Sequence, residues 1–374
     1  MRRWIAASVA AGLLAIGCGS SGSSPSTRVP GASTAVPDSV VGSTSGVATT
    51  SLPPKVYAPG TFDRTDQLLD QRVRAAGLTS GVVKIVAADG GVIHEHAVGG
   101  MSGSTPLGIA SSTKWFTAAT FMTFVDRGAI GLDDDISRWL PEFAGSVPPI
   151  TARQLLDHTS GVHDNPCQND STALAVCVRI LASSPREFAA GSRFSYGNAP
   201  FLVVGRLVEV LGAADFATVA RQRLTSPLGM NDTTWPGAPG AANPAFGVRV
   251  TVDDYGRFLD MILHDGTSGG ARVLSHEAIV QLTTNQVAAY DTTRDYSVGI
   301  TRIPRYGLGC WLDVQDAAGH GTVVSGNGGK GFYPWVDFTT RTWGIVGVQD
   351  ERGAELAVPA SQTVEVEART AAAR

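Results

Sequence analysis

Apolar positions divide the chain into a strand-like beginning, a helical middle and a strand-like end. Near the beginning, residues 82–87 and 92–97 are apolar runs on either side of a Gly-containing turn, which is the pattern of a β-hairpin. Residues 62–76, just before this hairpin, carry leucine and valine at helical spacing. The last part predicts four strands and a closing helix, at 307–312, 322–324, 331–336, 343–349 and 358–373.

The helix that begins near residue 109 carries the most informative polar residues. Ser111 and Lys114 lie three positions apart, so they share one face of a helix, with roughly 5–6 Å between their Cβ atoms. The free N–H groups and partial positive charge of a helix N-terminus suit a serine whose acyl intermediate carries an oxyanion. Because serine is abundant in this chain, a lone Ser-x-x-Lys is weak evidence and needs companion motifs.

A second polar motif lies in residues 191–199, a glycine-containing loop that enters an apolar helix at 201–208. Tyr196 and Asn198 place a phenol and an amide two residues apart on this loop. An isolated loop tyrosine is more often a packed aromatic residue, so this pair also depends on its companions.

Residues 150–162 form a third segment, which begins with Thr151 as an expected N-cap and ends at Gly161. His158 and Ser160 allow a catalytic His–Ser pair as an alternative. Two residues that close together on a turning segment need not face each other. We therefore expect His158 to tie the loop by hydrogen bonds.

Glycine is unusually dense at residues 325–331, inside the strand pattern of the C-terminal part. Such density marks a close approach of the backbone to a ligand or to another element. This segment is therefore the third candidate for a part of the functional site.

Two other polar groupings allow metal binding as an alternative. His94 and His96 point the same way on one predicted strand, but two ligands are too few for a site and no HExxH motif accompanies them. We expect a solvated pair at a sheet edge. The acidic run 133–135 is expected to be a solvated turn that caps the helix at 136–140. The sequence therefore predicts no metal and no other cofactor.

Residues 1–18 have the anatomy of an export signal, with two arginines before a short apolar run. That run is shorter than the apolar segment that a membrane-spanning helix needs. Residues 14–18 resemble a bacterial lipobox with Cys18 as the lipidated residue; an ordinary cleaved signal or an uncleaved anchor are the alternatives. Residues 19–60 are rich in Ser, Gly, Thr and Pro, which predicts a disordered tether.

Three further cysteines follow Cys18. Cys167 and Cys177 lie in one short segment of a chain predicted to be exported, so a local disulfide is expected, with two free thiols as the alternative. Cys310 lies in an apolar stretch predicted to be a strand and is expected to be a buried, inert thiol.

Composition narrows the class of function. The chain has 374 residues, 43 % of them apolar, and a formal net charge of −4. Such a chain can bury a substantial core. Its charge does not resemble the basic footprint of a nucleic-acid-binding protein, so no nucleic-acid partner is expected.

Ser111-x-x-Lys114, Tyr196-x-Asn198 and the glycine-rich strand entry, in this order and spacing, resemble the penicillin-recognising serine hydrolases, and most of all the class C β-lactamase-like family. The resemblance covers about residues 63–349. It implies an α/β (α+β) fold of the β-lactamase/transpeptidase type, with a central antiparallel sheet flanked by helices plus a mainly helical lobe. We assign residues 61–374 to this domain.

The resemblance also implies roles for the residues. Ser111 would be the nucleophile, with Lys114 or Tyr196 as the base that takes its proton. Asn198 would orient Lys114 or hydrogen-bond the substrate. The oxyanion hole would use the N–H of Ser111 and one strand N–H near Gly329.

One departure from the family pattern lies in the third motif, which usually has Lys or His, then any residue, then Gly. Here the matching positions are neutral: Gly326, Asn327 and Gly328, followed by Gly329. A register shift to Ser325 would not restore a cation, although Lys330 can substitute if the loop folds back. The absence weakens the β-lactam and peptidoglycan interpretations and resembles the esterase and nylon-oligomer amidase branch.

We therefore predict a serine hydrolase that acts on small ester or amide substrates through a Ser111 acyl-enzyme. It is expected at the outer face of the cell membrane, tethered by lipid on Cys18. The alternatives are a DD-peptidase or β-lactamase acting on cell-wall-like amides, and a catalytically silent binding lipoprotein with the same fold. An α/β-hydrolase is disfavoured because the chain has no Gly-x-Ser-x-Gly elbow.

Overall fold

The computed structural model of the chain describes residues 55–164, 167, 172–238, 240–290, 305–348 and 354–374. Its principal sheet has six antiparallel strands in the order β2-β1-β10-β9-β8-β7. Two small sheets pair β3 with β4 and β5 with β6. The strands are β1 (Gly81–Ala87), β2 (Val92–Val98), β3 (Leu107–Gly108), β4 (Arg249–Val250), β5 (Thr267–Ser268), β6 (Ala271–Arg272), β7 (Trp311–Gln315), β8 (Gly321–Ser325), β9 (Phe332–Asp337) and β10 (Thr342–Val348).

Helices are the main regular elements between β2 and β7, and helices from both chain ends also flank the sheet. Short 3₁₀ turns at Ala110–Ser112, Ile136–Arg138 and Pro141–Phe143, and a π-turn at Arg221–Thr225, lie between them. The α-helices are α1 (Asp63–Ala75), α2 (Thr113–Val125), α3 (Ala152–Leu156), α4 (Leu174–Ser183), α5 (Ala199–Gly212), α6 (Phe216–Ala220), α7 (Val252–Leu263), α8 (His276–Thr283) and α9 (Ala354–Ala373).

The sheet is built from both ends of the chain, because β10 lies directly beside β1. Alternate residues of β1 serve opposite faces, as the two-residue period of a strand requires. Val83 and Ile85 pack with α1 and α9, whereas Val82 and Val86 belong to the larger core around α2. This arrangement confirms the expected central antiparallel sheet with helices on both faces.

Helix α2 is buried on all sides, since every residue from Thr113 to Phe124 is buried. A helix without a polar face must lie in the interior of a domain. Its N-terminal end therefore has a fixed position between the sheet and the helical part of the chain, and this position is where the Ser-x-x-Lys motif lies.

Local capping follows the sequence closely. Thr151 forms a capping box with Gln154 at the start of α3, and Thr251 accepts from the Asp254 N–H at the start of α7. Asp135 caps the 3₁₀ turn at Ile136, as expected for the acidic run.

The strand predicted at 307–312 is wrong in its position, because β7 begins only at Trp311. Gly309 has a φ of +83°, and a Cβ there would lie 2.8 Å from the Lys114 carbonyl oxygen. A turn packed this tightly against α2 cannot be extended strand. Cys310 therefore lies before the strand; it is buried as expected, and its Sγ donates to the Leu282 carbonyl.

The expected solvated histidine pair needs a correction. β2 is an edge strand, but His94 and His96 face α1, whose carboxylates bind them. Nε2 of His94 lies 2.6 Å from Asp66 Oδ1, and Nε2 of His96 lies 3.0 Å from Asp70 Oδ1. The helix that precedes the hairpin supplies these partners, which a pattern within the strand does not reveal.

The predicted tether extends to residue 60, but Lys55 and Tyr57 already contact the domain. Both donate hydrogen bonds to the Ala372 carbonyl at the end of α9. The predicted export signal, Cys18 and residues 19–54 lie outside the described residues. Among the described helices, none is long and apolar enough to cross a membrane.

Candidate active site

Ser111 lies in a 3₁₀ turn that leads directly into α2. The residue before it, Ala110, has a φ of +44°, a conformation that residues other than glycine seldom adopt. Such local strain persists only where the surrounding structure enforces it. Here the turn is held by Ser112, whose hydroxyl donates to the Gly326 carbonyl and whose own carbonyl accepts from Tyr255.

Lys114 is fully buried, and its ammonium has one acceptor for each of its three protons. Nζ lies 3.0 Å from Ser111 Oγ, 2.7 Å from Asn198 Oδ1 and 3.2 Å from the Ala245 carbonyl oxygen. Burial lowers the pKa of this ammonium from its usual range to about 7, against an opposing contribution from the negative charge of Asp164.

Tyr196 completes the group around the serine. Its phenol is hydrogen-bonded to Ser111, and the Lys114 Nζ lies 5.0 Å from the centre of its ring. Burial raises the pKa of this phenol above its usual range, the hydrogen bond from Ser111 opposes the rise, and the charge of Asp164 adds to it. Tyr196 therefore keeps its proton near neutrality.

An aromatic cluster holds the Tyr196 ring. The Trp311 ring stacks on it with centres 5.3 Å apart, and the His158 ring lies 4.5 Å away on another side. His158 Nε2 contacts the Tyr306 hydroxyl, and its Nδ1 accepts from the Gly197 N–H. Burial and the Lys114 charge hold the pKa of His158 well below its usual range, so the ring is neutral. The structural role expected for His158 is confirmed, because its contacts fix the loop.

The glycine-rich segment passes close to the nucleophile turn. A Cβ on Gly328 would lie 2.1 Å from the Ile109 carbonyl oxygen and 2.9 Å from Ser112 Oγ. The N–H groups of Gly326 and Gly328 donate to β9, to the Pro334 and Phe332 carbonyls. Since N–H directions alternate along an extended strand, the N–H of Asn327 points away from β9. The expected close approach of backbone to another element is confirmed.

Lys330, the one lysine of the glycine-rich segment 325–331, lies close to β3. Its Nζ would lie 3.4 Å from a Cβ on Gly108, so its side chain runs along β3, beside Arg249. The position that matches the family's cation is Gly326, which has no side chain, and Asn327 Oδ1 accepts from the Ser325 hydroxyl at 3.3 Å.

The structure thus brings together Ser111, Lys114, Tyr196 and Asn198, with Gly328 against the same turn. Cys167 and Cys177 form the expected disulfide; Cys177 lies in α4 and Cys167 precedes this helix. No group of three or more His, Cys, Asp and Glu side chains able to hold a metal ion occurs within the described ranges.

Two contributors to the site, the Ala245 carbonyl and the Asp164 carboxylate, were not predicted from the sequence. The Ala245 carbonyl is presented to Lys114 by a turn in which Asn243 Oδ1 accepts from the N–H groups of Ala245 and Phe246. The Asn-Pro dipeptide at 243–244 is a turn signal that could have located it. Asp164 lies in an exposed segment, and its sequence neighbours give no sign of its position.

The arrangement corresponds to a known family. A model of the Beta-lactamase family matches residues 65–363. This chain belongs to the Beta-lactamase family. Membership makes it a serine hydrolase in kind, since a serine beside a base, as Ser111 is beside Lys114, suits acyl transfer through the serine.

Individual members of the Beta-lactamase family resemble the chain to different extents. Esterase EstB of Burkholderia gladioli is 34 % identical over 198 residues, which cover 45 % of this chain and 50 % of EstB. Penicillin-binding protein 4 of Amycolatopsis lactamdurans is 28 % identical over 252 residues, or 56 % of this chain and 66 % of that protein. The crystal structure of a candidate beta-lactamase from Bacteroides dorei has a TM-score of 0.76 and 27 % identity, covering 85 % of this chain and all of that one.

Proposed function

We propose that the chain is a serine esterase or amidase that works through an acyl ester on Ser111. The observation that carries the proposal is the set of three acceptors around Lys114. When the ammonium loses one proton, Asn198 and the Ala245 carbonyl retain the two remaining N–H groups. The nitrogen lone pair is then left to face Ser111 Oγ at 3.0 Å.

Lys114 is the better candidate for the first base. A pKa of about 7 leaves a large fraction of the amine unprotonated near neutrality, whereas Tyr196 holds its proton more tightly than a free phenol. The hydroxyl proton passes to Lys114 Nζ while Oγ attacks the substrate carbonyl carbon. The carbonyl electron pair moves onto its oxygen and forms the oxyanion. The rate should therefore rise with pH through about 7.

Tyr196 is positioned to pass protons rather than to start the reaction. Its hydroxyl bonds to Ser111, so it lies beside both the attacking oxygen and the leaving group. As the oxyanion collapses, the leaving group takes a proton from the Tyr196 hydroxyl, which Lys114 replaces. Water then attacks the ester with Lys114 again as base, the acid is released, and Oγ regains its proton.

The oxyanion would be bound by the N–H of Ser111, at the start of α2, and by the predicted N–H at Gly329. The tight packing of Gly328 on Ile109 supports this, because it holds the glycine-rich segment next to the nucleophile turn. Asn327 would offer the substrate a neutral amide from the same segment, and the cation position of the third motif is Gly326, which has no side chain. Both features favour esters and uncharged amides over substrates that carry a carboxylate.

We also propose that the enzyme acts at the outer face of the cell membrane, anchored by lipid on Cys18. The disulfide between Cys167 and Cys177 supports export, because such bonds persist mainly outside the reducing cytosol. A second candidate function is a DD-peptidase or β-lactamase, which the likeness to a penicillin-binding protein favours.

Turnover of two chromogenic substrates tests the proposed function. We expect the purified full-length chain to hydrolyse a short-chain nitrophenyl ester, and Ser111→Ala to lose this activity because the nucleophilic Oγ that lies 3.0 Å from Lys114 Nζ is removed. A chromogenic cephalosporin should remain intact. Ser183→Ala, at an exposed serine, is the control and should behave as the unchanged protein.

Each other outcome has a definite meaning. Cephalosporin hydrolysis that depends on Ser111 would make the second candidate the correct one. Absence of turnover on either substrate, with Ser111 also unreactive towards a serine-directed phosphonate, would remove the enzyme proposal and leave a binding protein.

A further inference from the structure

We propose that Asp164 is a positioning residue of this site: its carboxylate fixes the backbone between Tyr196 and α5 and places a negative charge beside Lys114. This inference rests on the proposed function, because it concerns the same serine site. Asp164 lies outside all three sequence motifs.

Hydrogen bonds tie the Asp164 carboxylate to the start of α5. Its Oδ1 accepts from the N–H groups of Asn198, at 2.8 Å, and Ala199, at 2.7 Å. The first N–H groups of a helix have no partners within the helix, so an acceptor here stabilises the helix end. A Cβ on Gly197 would lie 3.0 Å from the same oxygen, which shows how closely the carboxylate covers this backbone.

The residues fixed in this way carry the contacts to the nucleophile and its base. Asn198 accepts from Lys114 through its side chain, and Tyr196 bonds to Ser111. Both lie next to Gly197 in the sequence. A shift of the 197–199 backbone would therefore move the partners of Lys114 and Ser111 together.

The Asp164 charge also acts on both titrating groups. It favours the ammonium form of Lys114 and disfavours a tyrosinate at Tyr196. Three other titratable groups near Lys114 are neutral near pH 7, because burial lowers the pKa of His158 and raises those of Tyr306 and Cys310. Burial raises the pKa of Asp157, next to His158, to about 7. Asp164 thus raises the pH at which Lys114 gains and loses its proton, against the larger lowering by burial.

Removal of the charge without removal of the acceptor tests this role. In Asp164→Asn the side-chain oxygen can still accept from Asn198 and Ala199, but the negative charge is gone. We expect the protonation midpoint of Lys114 to fall, so that the acidic limb of kcat/KM for the nitrophenyl ester moves to lower pH. Asp164→Ala should show the same movement together with roughly a tenfold or greater loss of kcat, because the backbone is also released.

The protonation of Lys114 can be read without any substrate. The chain contains four lysines, Lys55, Lys84, Lys114 and Lys330, so ε-¹³C-lysine NMR titration of the full-length protein gives few resonances. Lys114→Met identifies the resonance of interest by its disappearance. This measurement keeps the inference testable if ester turnover fails, since the midpoint is observed directly.

Asp215→Asn is the matched control. Asp215 caps α6 by accepting from the Thr218 N–H at 3.0 Å, so it has the same capping role at a helix that carries no site residue. We expect Asp215→Asn to leave the Lys114 midpoint unchanged. An unchanged Lys114 midpoint in Asp164→Asn as well would overturn the inference and reduce Asp164 to an ordinary helix cap.

Discussion

Replacement of Lys114 with methionine is expected to lower kcat for ester hydrolysis by about 10²- to 10⁴-fold, the range typical for loss of a general base. Methionine fills similar space without an amine, so no amine would lie beside Ser111 Oγ to take its proton. Tyr196 cannot replace it efficiently near neutrality, because burial keeps its phenol protonated.

The fold should survive this change, because burial already disfavours the Lys114 charge. An apolar side chain removes that penalty, although Asn198 Oδ1 and the Ala245 carbonyl each lose a donor. Lys84→Met is the control, since Lys84 is a lysine that instead forms ion pairs with Glu95 and Asp253. Activity of Lys114→Met within tenfold of the unchanged enzyme would mean that another group is the base.

Substitution of Gly328 by alanine is the second change expected to have a large effect. The new Cβ would lie 2.1 Å from the Ile109 carbonyl oxygen, and that neighbour is backbone that cannot rotate away. The strand and the nucleophile turn must therefore separate. We expect a free energy of unfolding lower by on the order of 3 kcal/mol and kcat/KM reduced more than tenfold.

Gly326→Ala is the comparison, because Gly326 donates to β9 from the same segment two residues earlier. Its Cβ would lie 3.2 Å from the Trp115 ring, a tight contact with a side chain rather than with backbone. We expect a smaller loss of stability, measured by chemical denaturation of both variants. Equal losses of stability and activity in the two variants would argue against a special contact at Gly328.

Local sequence patterns predict the nucleophile and its immediate neighbours because these depend on spacing within single elements. Ser111 lies in the 3₁₀ turn that leads into α2 and Lys114 in the first turn of α2, while Tyr196 and Asn198 share one loop. The order of the motifs then fixes the family and its sheet, in which strands from both ends of the chain meet.

Contacts through the backbone leave little trace in the sequence. The Ala245 carbonyl binds Lys114, yet any residue type could present that oxygen, so alanine at this position carries no signal. Asp164 reaches Asn198 across 34 positions of sequence, and the folded arrangement alone brings them together. The carboxylates of α1 that bind His94 and His96 escape notice for the same reason.

The choice between Lys114 and Tyr196 as the first base also requires the folded environment. An unperturbed lysine ammonium and an unperturbed tyrosine phenol both have pKa values near 10, and burial moves these two pKa values in opposite directions. Burial lowers the pKa of an ammonium and raises that of a phenol, and the exposure of these groups is a property of packing around α2 and the aromatic cluster.

The central claim is that Ser111 carries the acyl group, and rapid-quench mass spectrometry tests it most directly. The full-length protein is mixed with a nitrophenyl acetate, stopped in acid within the first turnover, and digested. We predict a transient acetyl group on Ser111 itself, absent from Ser111→Ala. An acetyl group on another residue, or ester hydrolysis with no covalent adduct at any time, would contradict the account.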